Sequence, residues 1–209
     1  DAYEWHWADN RGRWDMLDVV RMTRALRPDG IKWPFDTNGK PSNRLELLTS
    51  VNKLDHQHAH DALSDVNATI AIARLMHNKQ PKLFQHLLTM RSKKTIESFV
   101  NTLQPFVYTS GKYDAQYEKT TVVTAVCEDQ HGSGSVVFDI RHDPTPYLDL
   151  PAKEIAKQWK HYCKEQPCPH PRIPLKTLQF NRCPAIAPLG VLNKENQQRL
   201  KLLAQKRIY

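Results

Sequence analysis

The texture of the chain changes at Gln80-Pro81, and that change limits the folds open to it. Before it, apolar residues recur at helical spacing. After it come short segments rich in Val, Thr, Tyr and Phe, the residues that suit a pleated, half-buried surface. Two consecutive units are expected, residues 1–80 and residues 81–209. The 209 residues are enough for two small domains with a core each.

In the first unit a helix is expected over residues 15 to 27, with Leu17, Val19 or Val20, and Leu26 inward, stopped by Pro28-Asp29-Gly30. Residues 29 to 41 hold Gly30, Pro34, Asn38-Gly39 and Pro41, a density of turn formers that reads as an irregular surface loop. Ser42 is placed to cap a second helix, whose Leu45 and Leu48 form a stripe that leaves Arg44 on another side. The clearest helix runs from Asp61 to Met76. Leu63, Val66, Ile70 and Ala73 make its expected buried stripe, and Asp61 and Asp65 share another face.

In the second unit one further helical stretch, residues 83 to 100, precedes strands at residues 106–109, 120–127 and 135–140. The turn His131-Gly132-Ser133-Gly134 implies a hairpin between two of them. Together these make a small barrel or an open sheet. A short helix over residues 152 to 162 and a basic one over residues 194 to 206 complete the reading.

Composition excludes some function classes. No apolar run approaches the roughly 20 residues that cross a bilayer, and the start Asp1-Ala2-Tyr3-Glu4 has no leader pattern, so a cytoplasmic protein is expected. The four cysteines, Cys127, Cys163, Cys168 and Cys183, are read as free thiols. His161, Cys163, Cys168 and His170 lie close enough for a mixed zinc site. The alternative, a surface loop of unconnected residues, is favoured by the prolines flanking Cys168 and by the lack of a Cys-x₂-Cys pair. A net charge of +8 fits a polyanionic partner, because clustered cations gain by releasing counterions from a phosphate backbone. Tyr3, Trp5, Trp7 and Trp14 alternate with His6, Arg11 and Arg13, as base-stacking and phosphate-contacting groups do. Trp14 is better read as core, while Tyr3 and Trp7 sit among polar residues.

The motif with chemical content is His60-Asp61-Ala62-Leu63-Ser64-Asp65. A hard cation such as Mg²⁺ takes carboxylate oxygens and water, and Asp65 on a rigid helix can supply one. His60 can accept a proton from a metal-bound water near neutral pH. Together they imply phosphodiester hydrolysis, although two-ion chemistry requires further carboxylates. The bland alternative is a helix-capping Asp61 beside a solvated Asp65. His56 and His58 are read as solvent-exposed neighbours of His60.

This motif resembles the last motif of the DEDD exonucleases of the histidine type. Asp1-Ala2-Tyr3-Glu4-Trp5, Arg13-Trp14-Asp15-Met16-Leu17-Asp18-Val19, Ala25-Leu26-Arg27-Pro28-Asp29-Gly30-Ile31, Arg44-Leu45-Glu46 and Asn181-Arg182-Cys183-Pro184 are similar, in order and spacing, to segments of the bacterial exodeoxyribonuclease I family. The resemblance implies a Mg²⁺-dependent 3′→5′ exonuclease that degrades single-stranded DNA to 5′-mononucleotides in repair and recombination and works with single-strand-binding protein. It implies an α/β fold, the C-terminal part of a ribonuclease H-like exonuclease domain, followed by an α+β SH3-like barrel domain. On that pattern His60 is the catalytic histidine and Asp65 the last metal ligand. Arg44 matches a substrate-binding arginine, and Arg21, Arg27, Tyr3, Trp7 and Lys93 fall along the DNA path.

The chain also departs from the family. No Asp-x-Glu occurs in it, and the aspartate of the second motif would also precede Asp1, so three of four carboxylates are missing, as is the family's C-terminal helical domain. One aspartate cannot hold two ions, so this chain alone is expected to have little or no nuclease activity. The rival reading is a non-catalytic module that binds single-stranded DNA or a protein through the basic barrel.

Overall fold

The computed structural model describes residues 14–56, 61–160 and 173–199. Helix α1 (Met16–Leu26) opens it, with Asp15 as N-cap accepting a hydrogen bond from the Leu17 amide at 2.8 Å. After an irregular loop, α2 (Leu45–Val51) and α3 (Ala62–Lys79) pack against α1, joining Val20, Ile31, Leu48, Ile72 and Met76 in one cluster. Helices α4 (Pro81–Thr89) and α5 (Lys93–Val100) follow. The expected single stretch is thus two helices, because the chain turns at Met90–Ser92 and Ser92 caps the second.

Strands β1 (Phe106–Thr109), β2 (Thr120–Glu128), β3 (Gly134–Asp139), β4 (Leu175–Gln179) and β5 (Ala185–Pro188) form an antiparallel sheet in the order β4-β3-β2-β1-β5. The expected hairpin joins β2 to β3. Asp129 holds its turn by accepting from the amides of His131 and Ser133. Gly134 is required there, since a Cβ would lie 2.3 Å from the Leu178 carbonyl oxygen. Short helices α6 (Thr145–Leu148), α7 (Ala152–Lys160) and α8 (Lys194–Arg199) complete the described chain.

Alternation along the strands divides the core into two layers. Val107, Val122, Ala185 and Ala187 face α1 and α4, meeting Val19, Met22, Leu83 and Leu87. Phe106, Tyr108, Val123 and Ile186 face the other way, toward α5, Val137 and Leu178. Helix α1 therefore belongs to two cores. Val19 and Met22 pack on the sheet, and Val20 packs on α2 and α3.

Several sequence expectations are corrected. The buried side of α3 is Ala68, Ile72 and Met76, whereas Leu63, Val66 and Ile70 are 68%, 54% and 43% exposed. Both sets recur at helical spacing, and the positions of α1 and α2 decide which is covered. Leu17 is exposed for a similar reason, since α1 turns Val19, Val20 and Met22 inward. Ser42 is buried but does not cap α2. Arg44 holds the N-cap position without a side-chain bond, and Ser42 lends its backbone carbonyl to Arg24. Among the described residues no helix is long and apolar enough to cross a membrane.

Arg24 fastens the loop before α2. Its buried guanidinium donates to the carbonyls of Pro34 at 3.1 Å and Ser42 at 2.7 Å, pairs with Glu118 at 3.3 Å and lies over the rings of Trp33 and Phe35. Burial lowers its pKa while Glu118 opposes the fall. Removing one member of a buried pair strands the other. Arg24→Met is expected to cost about 3 kcal/mol of unfolding free energy in a urea titration, and Arg24→Lys to recover little, because one ammonium cannot reproduce the planar fork.

Candidate nucleic-acid cleft

A cleft of about 630 Å³ opens where the start of α1 meets α2, α3 and the β1–β2 loop. Its apolar floor includes Trp14, Met16, Leu17 and Val20, with Leu48 and Ile72 behind, and its cations are Arg21, Arg44 and Lys119. Trp14 is also half-buried against Phe84, edge to face at 5.1 Å, so the core reading of this residue holds. The N-cap position of α2 sets Arg44 at the rim, exposed. Arg21 donates to Asp18 Oδ1 at 2.6 Å, one turn earlier on α1. Burial pushes the Asp18 carboxyl above its usual range, although Arg21 pulls the other way.

Asp65 lies on the α3 wall of the same region. Thr69 and Ile72 line the cleft, and Asp65 precedes them by four and seven residues, on the same helical face. Asp61 is the N-cap, accepting from the Ser64 amide at 3.0 Å, so the capping reading holds for Asp61. For Asp65 the environment is more specific. His56 Nε2 lies 2.8 Å from Asp65 Oδ1, and His56 Nδ1 lies 3.3 Å from Thr49 Oγ1. An ionised carboxylate only accepts, so Nε2 carries the proton in that bond.

The reading of His56 as a solvent-exposed neighbour is therefore corrected. Its side chain is 4% exposed, locked between α2 and α3, while Asp65 stays 43% exposed. A sequence offers no sign of this, because the partner is nine positions away across a loop.

The other expected site residues separate. Arg27, at the C-cap of α1, donates to the carbonyls of Leu26 at 2.6 Å and Val191 at 2.7 Å, tying the helix end to the chain after β5. Lys93 is exposed at the start of α5. His60, Tyr3 and Trp7 lie outside the described residues, as do His58 and the His161–Cys163–Cys168–His170 cluster. Of the four cysteines, Cys127 and Cys183 are described and form no disulfide. Lys119, not anticipated from sequence, reaches the cleft from a backbone with φ of 60°.

Helices and an antiparallel sheet thus meet at a basic, apolar-floored cleft. The family model "Exonuclease I SH3-like domain" matches residues 91–207, and the chain belongs to that family. It is 39% identical over 204 residues to the exodeoxyribonuclease I of Haemophilus influenzae, covering 96% of this chain and 43% of the relative. The exonuclease I of Methylocaldum szegediense superposes with a TM-score of 0.89 at 42% identity, over 98% of this chain and 44% of that one. Escherichia coli exonuclease I in complex with a dA16 oligonucleotide gives 0.86 at 35% identity, over 96% and 43%. Similar structures also include an ExoI/SSB-Ct complex, at 0.84, and a zinc ion bound form of the E. coli ExoI–ssDNA complex, at 0.86. The chain spans less than half the length of these relatives.

Replacing His56 by Ala removes the donor to Asp65 and leaves a gap between α2 and α3. With Asp65 partly in water, the hydrogen bond itself is worth about 1 kcal/mol. His56→Ala is expected to lower the unfolding midpoint, with His56→Gln retaining part of the loss.

Proposed function

We propose that this chain is the substrate-gripping part of a 3′→5′ exonuclease that degrades single-stranded DNA to 5′-mononucleotides in repair and recombination in the cytoplasm. Residues 1–80 are then the C-terminal part of a ribonuclease H-like exonuclease domain, and residues 81–209 the SH3-like domain. The observation that carries this is the convergence of Arg21, Arg44 and Lys119 on one apolar-floored cleft, beside the helix face that bears Asp65. Phosphates meet the cations and bases meet Trp14 and the aliphatic floor, an arrangement that holds a single strand without reading its sequence. Relatives named exodeoxyribonuclease I, one of them solved with an oligonucleotide, support the reading.

Among the described residues, no group of three or more His, Cys, Asp or Glu side chains could hold a metal ion. Asp65 offers a single carboxylate. Two-ion phosphodiester hydrolysis needs several, so the described residues do not make up such a site. The zinc ion in a related structure supports metal dependence, and Mg²⁺ is the ion proposed for the complete enzyme. His60 is its proposed general base and Asp65 one of its ligands. Arg27, Lys93, Tyr3 and Trp7 are proposed along the strand's path. Single-strand-binding protein is the proposed partner, by analogy with the ExoI/SSB-Ct complex.

The exposed ridge Leu63–Val66–Ile70 is proposed to be covered by the rest of the exonuclease domain in the longer protein, since apolar faces of this kind mark interfaces. For the chain taken alone, the lack of a metal-binding group among the described residues favours binding without cleavage.

A fluorescent oligo-dT strand should bind the chain, with affinity falling steeply as salt rises. Arg44→Ala should weaken it about five- to tenfold, on the scale of one lost phosphate contact. A 3′-labelled strand incubated with the chain in Mg²⁺ should stay intact. Digestion that His60→Ala abolishes would refute inactivity, and an absence of binding would refute the substrate assignment.

A further inference from the structure

Residues 110–119 join β1 to β2, and this loop meets α1 near both of its ends. Gly111 lies against the Arg21 guanidinium, where a Cβ would sit 2.9 Å from Nη1. Glu118 Oε2 lies 3.3 Å from Nε of the buried Arg24. The last two residues of the loop, Glu118 and Lys119, have φ of 52° and 60°. Among the described residues they are the only adjacent non-glycine pair in the left-handed region.

A left-handed backbone crowds Cβ against the neighbouring carbonyl, so two such residues in a row are ordinarily Asn or Gly. Glu and Lys persist there only if their surroundings hold them. Part of the hold is internal to the loop. The Lys119 amide donates to the Asp114 carbonyl at 3.1 Å, the Glu118 amide to the Ala115 carbonyl at 2.9 Å, and the Ser110 amide to the Lys119 carbonyl at 2.9 Å. Outside the loop, the Arg141 guanidinium lies over the ring of Tyr117 at 4.2 Å, and Arg24 pairs with Glu118. Arg24 is itself fixed by the carbonyls of Pro34 and Ser42.

The two side chains of this turn diverge. Glu118 reaches α1, whereas Lys119 lines the cleft with Arg21 and Arg44. Where a lysine reaches depends first on its Cα–Cβ bond, and a return of φ to negative values would re-aim that bond. By charge alone, an acid beside a cleft that takes phosphates is unfavourable.

We propose that Glu118 is a positioning residue for strand binding: its pair with Arg24 holds the Glu118-Lys119 turn in the left-handed conformation and so keeps the Lys119 ammonium at the cleft. The proposal rests on the functional reading above and adds to it a residue that touches no part of the strand. The strain of the turn is retained because it aims a cation.

The experiment measures oligo-dT binding by anisotropy across a salt series. The proteins are the wild-type chain, Lys119→Met, Glu118→Asp, Glu118→Gln, and Glu118→Asp combined with Lys119→Met, with far-ultraviolet circular dichroism checking that each is folded. Lys119→Met should weaken binding about fivefold and lower the slope of log K against log salt by about 0.7, the value for one phosphate of a single strand. Glu118→Asp keeps the net charge and tolerates positive φ but is one methylene shorter, so it should lose the pair and approach the same two changes. Glu118→Gln keeps the length and an acceptor for Arg24, so it should bind like the wild type. Added to Lys119→Met, Glu118→Asp should weaken binding no further.

If the charge of Glu118 were what mattered, Glu118→Asp would bind like the wild type and Glu118→Gln would bind more tightly. That pattern overturns the proposal. A loss on Glu118→Asp that persists in full beside Lys119→Met also overturns it, since the effect then runs through Arg24 and the loop before α2. Binding unaffected by Lys119→Met overturns it while leaving the cleft to Arg21 and Arg44, and no binding by the wild type overturns both readings. Lys119→Gly decides the matter should Glu118→Asp not fold: it should raise the urea midpoint by relieving the strain while weakening binding as Lys119→Met does, and a lowered midpoint overturns the proposal.

Discussion

The buried guanidinium of Arg24 is the fixed point of this structure. A charge so far from water persists when it is paired and hydrogen-bonded, and Arg24 meets two loop carbonyls and Glu118 while its faces meet Trp33 and Phe35. The loop would otherwise have little reason to order, given its turn formers. Once pinned, it delivers Arg44 to the start of α2 and the β1–β2 loop to the flank of α1. Arg21, one turn before Arg24 on α1, lines the cleft while Arg24 is buried.

Helix α1 turns that local anchor into an architecture. Its residues alternate between a sheet-facing side, Val19 and Met22, and a helix-facing side, Val20, so one helix is the shared wall of two cores. Polar groups on its remaining face, Asp18 and Arg21, are left at the seam between the helical layer and the sheet. The seam is half-buried, which explains why Asp18 resists ionisation even beside an arginine. Charge gathers where two packed layers meet without filling the space between them.

Much of this was legible in the sequence because it is local. Strands at Phe106–Thr109, Thr120–Glu128 and Gly134–Asp139 announce themselves by β-branched and aromatic residues, and Asp15 and Asp61 by their place before helices. The covered side of α3 was not legible. Leu63–Val66–Ile70 and Ala68–Ile72–Met76 carry equal helical periodicity, and only the docking of α1 and α2 separates them. His56 was misjudged for the same reason, since its partners Asp65 and Thr49 arrive from other elements. In the cleft, Arg21 and Arg44 were legible through resemblance. Lys119 was not, because a lysine becomes distinctive only through the backbone twist that presents it.

The contact between Arg21 and Gly111 has a mechanical side. Any side chain at Gly111 would meet the guanidinium of Arg21, so the glycine is what lets the β1–β2 loop close against the flank of α1. The edge of the cleft at Arg21 is therefore set by the smallest residue on the facing loop.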